Sequence, residues 1–393
     1  MSVHSILRSY TVLIGLIVLL AYPAYLWFSD GLIDPTGEIL IGRDFANYHN
    51  ASVLVVKGEV HRLFDILSYR AFLAEVYGQP FELNWSYPPH FLFFTLPLAG
   101  LPYLVAYAVW TLVGLGVYLA ATGRHLRRTY DLKAPQLVLL VAAPATLVNA
   151  FFGQNGFITG TLLYVGVRYS KDRPALAGLC LGLLTIKPQL GLLIPIMLLL
   201  TRQWRTIAVA VITALIAIAA SAMVFGTQSW IDYFEKVVPY QRGVMEEGTG
   251  LFLQMMPSAY GLGRLLDLPP QICLLLQLPL SLFALGLTVW LFLKPRGNDE
   301  ATVLLFLLCT FMVTPYAFNY DMTALTPALL AYWASAQVKQ PLSGAQKFLI
   351  LSLFLMPGII FGAPVGPFVL IASAWILLGE IRGRGFKLSH ATP

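Results

Sequence analysis

Long apolar runs recur along nearly the whole of this 393-residue chain, and they constrain its fold more than any other feature. Hydrophobic residues make up 58% of the chain and charged residues 11%, whereas soluble domains carry about a quarter charged residues. Twelve runs are candidate membrane spans, at about 6–28, 103–122, 135–151, 156–169, 174–186, 188–200, 206–225, 271–293, 301–317, 322–336, 348–363 and 366–380. The sequence therefore predicts an all-α polytopic membrane protein with about twelve transmembrane helices, forming one integral membrane domain over 1–393.

The distribution of basic residues predicts the orientation of these helices. With both termini cytoplasmic, most of the 25 Lys and Arg residues fall on inside segments, as the positive-inside rule requires. Most of the 19 Asp and Glu residues fall in two long outer segments, at 29–102 and 226–270. The run at 6–28 lacks a small-residue cleavage site, which indicates an uncleaved first helix. We therefore expect a plasma or inner membrane protein whose chemistry faces the periplasm or cell exterior.

Two stretches leave the path of the chain open. The runs at 174–186 and 188–200 form either a pair of helices that meet at Lys187 or one helix kinked at Pro188. Charge asymmetry favours the pair of helices, because this arrangement keeps the basic residues before the first run and after the second run on the same side of the membrane. Thirteen helical residues reach only about 20 Å, so Lys187 is expected in a recess below the outer surface.

The first outer segment is predicted to contain short interfacial helices. Residues 59–82 form a weak amphipathic pattern typical of a helix that lies along the membrane. Residues 84–102 carry paired prolines and only seven residues between Pro89 and Pro97, which favours a short re-entrant or interfacial helix. The alternative is an ordinary span, which would reverse the sidedness of every later loop.

The densest polar chemistry lies at 42–58, around Asp44. Arg43 precedes this acid, and Tyr48 and His49 follow it four and five residues later, on the first turns of a helix that begins near Phe45. The simplest interpretation is that Asp44 caps this helix. A cap, however, does not explain the adjacent arginine or the other polar residues of the segment.

Three further polar turns fall on the predicted outer face, at 151–156, 186–189 and 314–321. Polar groups at membrane depth are costly, so each turn is either a hydrogen-bonded helix cap or part of a site. Their occurrence on one face together with Asp44 favours a shared cavity. The candidate binding residues outside the 42–58 segment are Tyr87, His90, Gln154, Asn155, Lys187, Gln189, Asn319, Tyr320 and Asp321.

Several classes of protein are disfavoured by what the sequence lacks. No P-loop, dinucleotide-binding fingerprint, HExxH or GxSxG pattern occurs. The cysteines Cys180, Cys273 and Cys309 lie in apolar runs, so neither a disulfide framework nor a cysteine metal site is indicated. The net charge of +6 follows from the topology and indicates no nucleic-acid partner.

Five blocks, in their order along the chain, resemble glycosyltransferase family 87. They are DFANYHNASVLVVKGEVHRLFD at 44–65, SYPPHFLFFTLPLAGLPY at 86–103, GQNGFITGTLLYVGV at 153–167, GLCLGLLTIKPQLGLLIPIMLLLTRQWR at 178–205 and TPYAFNYD at 314–321. The family is typified by polyprenol-phosphate-mannose-dependent α-1,2-mannosyltransferases of the C-type membrane superfold. The resemblance extends over about 40–380 and depends on the order of the blocks.

The resemblance implies a hexosyltransferase that uses a polyprenyl-phosphate sugar, with mannose as the expected sugar. It would transfer this sugar, with inversion, to a hydroxyl of a glycolipid or glycan acceptor on the non-cytoplasmic face. Asp44 matches the family's general base. Some members carry a histidine where this chain reads Phe-Asn-Tyr-Asp at 318–321, so a role for that histidine does not transfer.

The physical chemistry of inverting transfer fits these residues. A carboxylate such as Asp44 can take the acceptor proton, and Arg43 or Lys187 can contact the leaving phosphate. The other candidate residues supply hydrogen bonds to sugar or phosphate. No cofactor is expected; Asp44 and Asp321 could share a divalent cation, although no clustered ligand spacing supports one.

Two other classes of function remain open at this stage. One is a lipid or glycan transporter or flippase, but no duplicated halves with paired broken helices are evident in the sequence. The other is a purely structural membrane protein.

Overall fold

The computed structural model describes residues 42–293, 299–339 and 341–389, and the predicted first span at 6–28 lies outside them. Every regular element in the described residues is helical, and no β-strand occurs among them. The helices before the central turn at 187 are α1 Phe45–Val56, α2 Val60–Leu63, α3 Ile66–Tyr77, α4 Leu92–Thr95, α5 Tyr103–Tyr118, α6 Arg124–Tyr130, α7 Ala134–Ala142, α8 Pro144–Phe152, α9 Gly156–Arg168 and α10 Pro174–Leu183. Those after it are α11 Ile194–Leu200, α12 Trp204–Phe225, α13 Thr227–Asp232, α14 Val238–Glu247, α15 Leu251–Gln254, α16 Ala259–Leu265, α17 Pro270–Leu293, α18 Glu300–Val313, α19 Leu325–Lys339, α20 Gly344–Ile359 and α21 Gly366–Ser389.

Short 3₁₀ or π turns join or extend several of these helices. The 3₁₀ turns are Pro89–Phe91, Leu96–Leu98, Leu184–Ile186, Pro188–Gly191 and Asn319–Ala324. The π turns are Leu119–Gly123, which joins α5 to α6, and Tyr233–Val237, which joins α13 to α14.

Four helical stretches among the described residues are long and apolar enough to cross a membrane. They are Tyr103–Tyr130, Trp204–Phe225, Pro270–Leu293 and Gly366–Gly383, and α7 with α8 forms a fifth if this bent pair is one span. The same part of the chain contains five shorter apolar helices, of 10–17 residues: Pro89–Leu98, Pro174–Ile186, Pro188–Leu200, Glu300–Val313 and Gly344–Ile359. The all-α class and the apolar helices agree with the sequence, whereas the count of twelve spans remains a prediction.

The predicted span at 135–151 is bent in the structure, and the polar turn at 151–156 follows its second half. α7 and α8 meet at an angle of 50° between Ala142 and Pro144. Proline lacks a backbone N–H and pushes the residue before it out of the helical region. Ala143 accordingly has the extended ψ of 134°.

α18 lies at the centre of the bundle. Every residue from Glu300 to Met312 is buried, and the helix packs against α17, α19 and α21. A helix that is apolar on all sides is expected in such a position. Its 14 residues extend only about 21 Å. Since a bilayer core is about 30 Å thick, the polar turn after α18 is expected to lie at membrane depth.

The chain reverses direction at Lys187, as the charge asymmetry predicts. In the contact between α10 and α12, Gly178 faces Val209 and Gly182 faces Thr213, so the two helices run in the same direction. A Cβ atom on Gly178 would lie 2.5 Å from the Cβ of Val209, so only glycine permits this approach. The chain between α10 and α12 must therefore return, which rules out one kinked helix at this position.

The first outer segment contains short helices, in agreement with the sequence. The Asp65 carboxylate caps α3 by accepting a hydrogen bond from the Ser68 N–H at 2.9 Å, and Gly78, with a φ of 71°, ends the helix. Among the apolar residues of the amphipathic pattern predicted at 59–82, Leu63, Phe72 and Leu73 are buried, whereas Leu67 and Val76 are exposed.

The stretch after Tyr87–Pro88 forms the ten-residue helix Pro89–Leu98, about 15 Å long. A helix of this length does not cross a bilayer, so the structure agrees with a short re-entrant or interfacial helix.

Candidate active site

A cavity of about 740 Å³ lies where the polar turns of the sequence converge. Residues of the segment around Asp44 and of all three polar turns line it. Further walls come from the start of α3, from 82–87 and from the segment 240–252 of the second outer loop. Seven sequence-predicted residues line the cavity: Arg43, Asp44, Tyr87, Gln154, Lys187, Gln189 and Tyr320.

Asp44 stands at the N-cap position of α1 but does not cap it. Its side chain makes no capping hydrogen bond, and its φ and ψ of −79° and −26° are helical. Oδ2 instead accepts a hydrogen bond from Nε2 of Gln154 at 2.9 Å, while the Asp44 backbone N–H donates to the Phe152 carbonyl at 3.2 Å. The other oxygen, Oδ1, has no hydrogen-bond partner among the described residues. The structure thus disfavours a capping role, and no other described residue competes with a ligand for Oδ1.

The orientation of Gln154 is fixed by two tyrosines. Its Oε1 accepts a hydrogen bond from the Tyr48 hydroxyl at 2.8 Å and lies 3.3 Å from the Tyr87 hydroxyl, and these two hydroxyls are hydrogen-bonded to each other at 2.8 Å. With Oε1 engaged, the amide must present its N–H group to Asp44. Tyr48 does not line the cavity; it acts one hydrogen bond behind it.

The turn that carries Gln154 is held against the start of α1. Gly153 has a φ of +64°, and a Cβ atom there would lie 2.5 Å from the Cβ of Phe45 and 2.9 Å from the Tyr107 ring. Only glycine tolerates both the positive φ and the lack of space for a Cβ atom. The Trp110 indole donates to the Gly153 carbonyl at 3.0 Å, which fixes the turn from the other side.

Lys187 and Asp321 form a buried ion pair in the cavity wall. Nζ of Lys187 lies 2.5 Å from Oδ1 of Asp321 and 4.7 Å from the centre of the Tyr320 ring. The side chains are only 6% and 0% exposed. Oδ2 of Asp321 accepts the Phe318 backbone N–H at 3.2 Å. Asp321, predicted to bind substrate, therefore lies behind the cavity wall and holds Lys187.

Four predicted binding residues lie away from the cavity. His49 hydrogen-bonds the Leu101 carbonyl at 3.0 Å, and Asn319 donates to the Pro357 carbonyl at 2.9 Å. His90 stacks on Trp230, and its Nε2 lies 3.2 Å from the Thr185 hydroxyl. Asn155 is 1% exposed, and its side-chain atoms have no partner among the described residues. None of these four residues lines the cavity.

Several cavity residues are not evident from the sequence. They are polar or charged and come from the two outer segments: Asn47, Arg70, Glu82, Asn84, Ser86, Tyr240, Gln241 and Glu247. Nε2 of Gln241 donates to the Ser86 carbonyl at 2.5 Å, which joins the second outer segment to the first. The concentration of acids in these segments was the available signal, but it did not indicate which of them meet.

A divalent cation bound between Asp44 and Asp321 would have to compete with Lys187, because Lys187 already forms an ion pair with the Asp321 carboxylate. No group of three or more His, Cys, Asp or Glu side chains in the described ranges is arranged to hold a metal ion.

The pKa of the Asp44 carboxyl lies above its ordinary value of 3.8, chiefly because protein atoms surround it. The charge of Arg43, the hydrogen bond from Gln154 and the charge of Lys187 lower the pKa by smaller amounts. Asp44 is partly exposed and lines the cavity, which limits the effect of burial on its pKa. A raised pKa brings a carboxylate closer to the range in which a general base is effective.

If Asp44 acts as a base, kcat/KM should fall as the pH drops through this raised pKa, because only the deprotonated carboxylate accepts a proton. Arg43→Gln should move the acidic limb to higher pH, since Arg43 lowers the Asp44 pKa. The matched control is Arg62→Gln, because Arg62 pairs with Glu59 and Glu75 and does not line the cavity. A limb that stays in place in the Arg43 variant, or moves to lower pH, would contradict this assignment.

Residues 85–318, more than half of the chain, match the model of glycosyltransferase family 87. This range contains Gln154 and Lys187, whereas Asp44 precedes it. An α-(1→3)-arabinofuranosyltransferase of Mycobacterium tuberculosis, found in two strains, is 26% identical over 310 residues, covering 72% of this chain and 68% of the relative. No solved structure matches the chain. The chain therefore belongs to glycosyltransferase family 87 and is a membrane glycosyltransferase.

Proposed function

We propose that this enzyme transfers a sugar from a polyprenyl-phosphate donor to a hydroxyl of a glycolipid or glycan acceptor, with inversion at the anomeric carbon. The observation that carries the proposal is the Asp44 carboxylate, which Gln154 orients at the wall of a large polar cavity. The cavity also contains Arg43, Arg70 and Lys187, which suit an anionic leaving group.

In this mechanism Asp44 is the general base. The acceptor hydroxyl donates a hydrogen bond to Oδ1, the oxygen that has no partner among the described residues. As the acceptor oxygen attacks the anomeric carbon, its proton passes to the carboxylate and the bond between this carbon and the phosphate oxygen breaks. The electron pair of that bond leaves with the polyprenyl phosphate, and attack from the opposite face inverts the configuration.

Two features of the site support this role for Asp44. Gln154 leaves the carboxylate little freedom to rotate, because its own amide is held by two tyrosine hydroxyls. The upward shift of the Asp44 pKa makes it a better proton acceptor than an ordinary aspartate. A positioned base of this kind contributes about a hundredfold to ten-thousandfold to the rate.

The sugar has two candidates. Mannose follows from the resemblance to the mannosyltransferases that typify the family. Arabinofuranose is favoured by the relative from Mycobacterium tuberculosis, whose name describes α-(1→3)-arabinofuranosyl transfer. The absence of histidine in the 318–321 turn supports keeping both candidates.

The transporter alternative is disfavoured by membership in a glycosyltransferase family. The two hypotheses differ in whether polyprenyl phosphate is released, because only a transferase cleaves the sugar–phosphate bond.

We expect purified enzyme to release polyprenyl phosphate from polyprenyl-phosphate mannose or polyprenyl-phosphate arabinofuranose when an acceptor glycan is present. The measurement is chromatographic quantification of polyprenyl phosphate and of the extended acceptor. Sugar nucleotides of the same two sugars serve as controls and should yield no product. Turnover of the nucleotides but of neither lipid donor would refute the proposal.

We also propose that the cavity faces the periplasm or cell exterior and that both termini are cytoplasmic. A cysteine at Thr249, an exposed cavity residue, should then react with an impermeant thiol reagent added to intact cells. Cysteines at the exposed Arg127 and Lys171 should react only after the cells are opened. All three are placed in a background without the three native cysteines. Labelling of position 127 in intact cells would overturn this orientation.

A further inference from the structure

Arg70 lines the cavity and has no acidic partner among the described residues. It lies in α3, and its Nη2 donates a hydrogen bond to the hydroxyl of Tyr240 at 3.0 Å. Its Nε is buried and has no hydrogen-bond partner among the described residues. The ion pairs of those residues do not include Arg70, and the hydrogen-bond partner that it has among them is a neutral phenol.

The other cations near the cavity differ from Arg70 in this respect. Lys187 is neutralised by Asp321, and Arg43 adjoins the Asp44 carboxylate. Arg62, on the neighbouring helix α2, pairs with two glutamates. A partly buried guanidinium that lacks an anion is unfavourable in the free protein and is satisfied when a ligand supplies one. Arg70 is therefore better placed than Lys187 to receive an additional negative charge.

Arg70 is also structurally connected to the reacting carboxylate. The hydroxyl of the preceding residue, Tyr69, donates to Oδ1 of Asn47 at 3.0 Å. The Asn47 backbone N–H in turn donates to the Asp44 carbonyl at 3.2 Å. Both Arg70 and Asn47 line the cavity. An anion held by Arg70 thus shares one chamber with Asp44.

We propose that Arg70, oriented by Tyr240, binds a phosphate oxygen of a lipid substrate. The inference rests on the proposed function, because it assigns the phosphate to a lipid that takes part in sugar transfer. A planar guanidinium with a free Nε–H matches the geometry of phosphate oxygens. The phosphate belongs either to the polyprenyl donor or to a phospholipid-based acceptor, and the experiment distinguishes these sources.

The test measures binding of two probes to the purified full-length protein in nanodiscs of neutral phosphatidylcholine. Farnesyl phosphate represents the donor-side lipid phosphate, and dihexanoyl phosphatidylglycerol represents a phospholipid acceptor. The variants are Arg70→Gln, Arg70→Lys and Tyr240→Phe. Arg62→Gln is the matched control, because it removes a positive charge from the same outer segment outside the cavity.

Arg70→Gln should weaken binding of at least one probe about tenfold to a hundredfold, the effect of losing charge-assisted hydrogen bonds. Arg70→Lys should retain part of the affinity, because it keeps the charge without the planar fork. Tyr240→Phe should show a smaller loss, and Arg62→Gln none. Melting curves verify folding; if Arg70→Gln does not fold, Arg70→Lys and Tyr240→Phe carry the test.

The pattern of loss identifies the source of the phosphate. Loss for farnesyl phosphate alone places the donor at Arg70, loss for phosphatidylglycerol alone places the acceptor there, and loss for both indicates a shared anion position. Affinities of the folded Arg70 variants equal to wild type for both probes would overturn the proposal. That result would leave sugar transfer by Asp44 intact, whereas Arg70-dependent binding without any transfer would refute the proposed function alone.

Discussion

Asp44→Asn should lower turnover about a hundredfold or more while the protein keeps a melting temperature close to wild type. Asparagine has nearly the same size and retains an oxygen that can accept the hydrogen bond from Gln154 Nε2. It cannot take up the acceptor proton, so the loss should appear in kcat. Because the Asp44 side chain makes no capping bond, Asp44→Ala should also cost little stability.

Asp65 provides the matched control, because it is an acid of the same outer segment that does cap a helix. Asp65→Ala should reduce the free energy of unfolding by about 1 kcal/mol and leave kcat unchanged. The measurement is turnover of the variants, with either lipid-linked donor, beside their melting curves. A fully active Asp44→Asn enzyme would eliminate the proposed base.

Lys187→Met should destabilise the protein by about 3–5 kcal/mol, because it leaves the Asp321 carboxylate buried and unpaired. From the sequence, Lys187 is expected only to contact phosphate, whereas the buried ion pair adds a structural role. The double variant Lys187→Met with Asp321→Asn should recover most of the stability, since neither charge remains and the asparagine oxygen can still accept the Phe318 N–H.

The exposed pair of Lys133 and Asp131 is the control for this experiment. Its atoms are 2.6 Å apart, but its side chains are 69% and 85% exposed. Lys133→Met should therefore change the free energy of unfolding by less than about 1 kcal/mol. The readout is unfolding in detergent by heat or denaturant. Two results would contradict a stabilising role for the buried pair. One is a Lys187→Met protein as stable as wild type, and the other is a double variant no more stable than Lys187→Met alone.

The double variant also separates folding from substrate binding. If Lys187 contacts the donor phosphate in addition to Asp321, the folded double variant should still bind farnesyl phosphate more weakly than wild type. Equal affinity would assign Lys187 a structural role only.

The sequence predicted the parts of the site that interrupt apolar helices. Asp44, Gln154 and Lys187 are recognisable because polar groups between apolar spans cost free energy at membrane depth, which indicates a functional or structural role. The reversal at Lys187 was also predictable, since it follows from charge asymmetry.

The parts that depend on contacts between distant segments were not predictable. Arg70 and Tyr240 are 170 positions apart, and Lys187 and Asp321 are 134 apart. The sequence places Asp321 in a polar turn, but only packing decides that it faces Lys187 and not the cavity. The histidines His49 and His90 were overvalued for the same reason, because their partners are a backbone carbonyl and an indole ring from other elements.

The short helix before Lys187 bears on how a substrate reaches the enzyme. Pro174–Ile186 rises about 20 Å from its basic end, whereas the bilayer core is about 30 Å thick. The cavity floor would then lie about 10 Å below the level of the lipid headgroups. We expect that a sugar tethered to a membrane lipid can reach a chamber at this depth while its tail stays in the hydrocarbon. We therefore expect the depth of the cavity to select substrates by their lipid anchor, before any contact with the sugar itself selects among sugars.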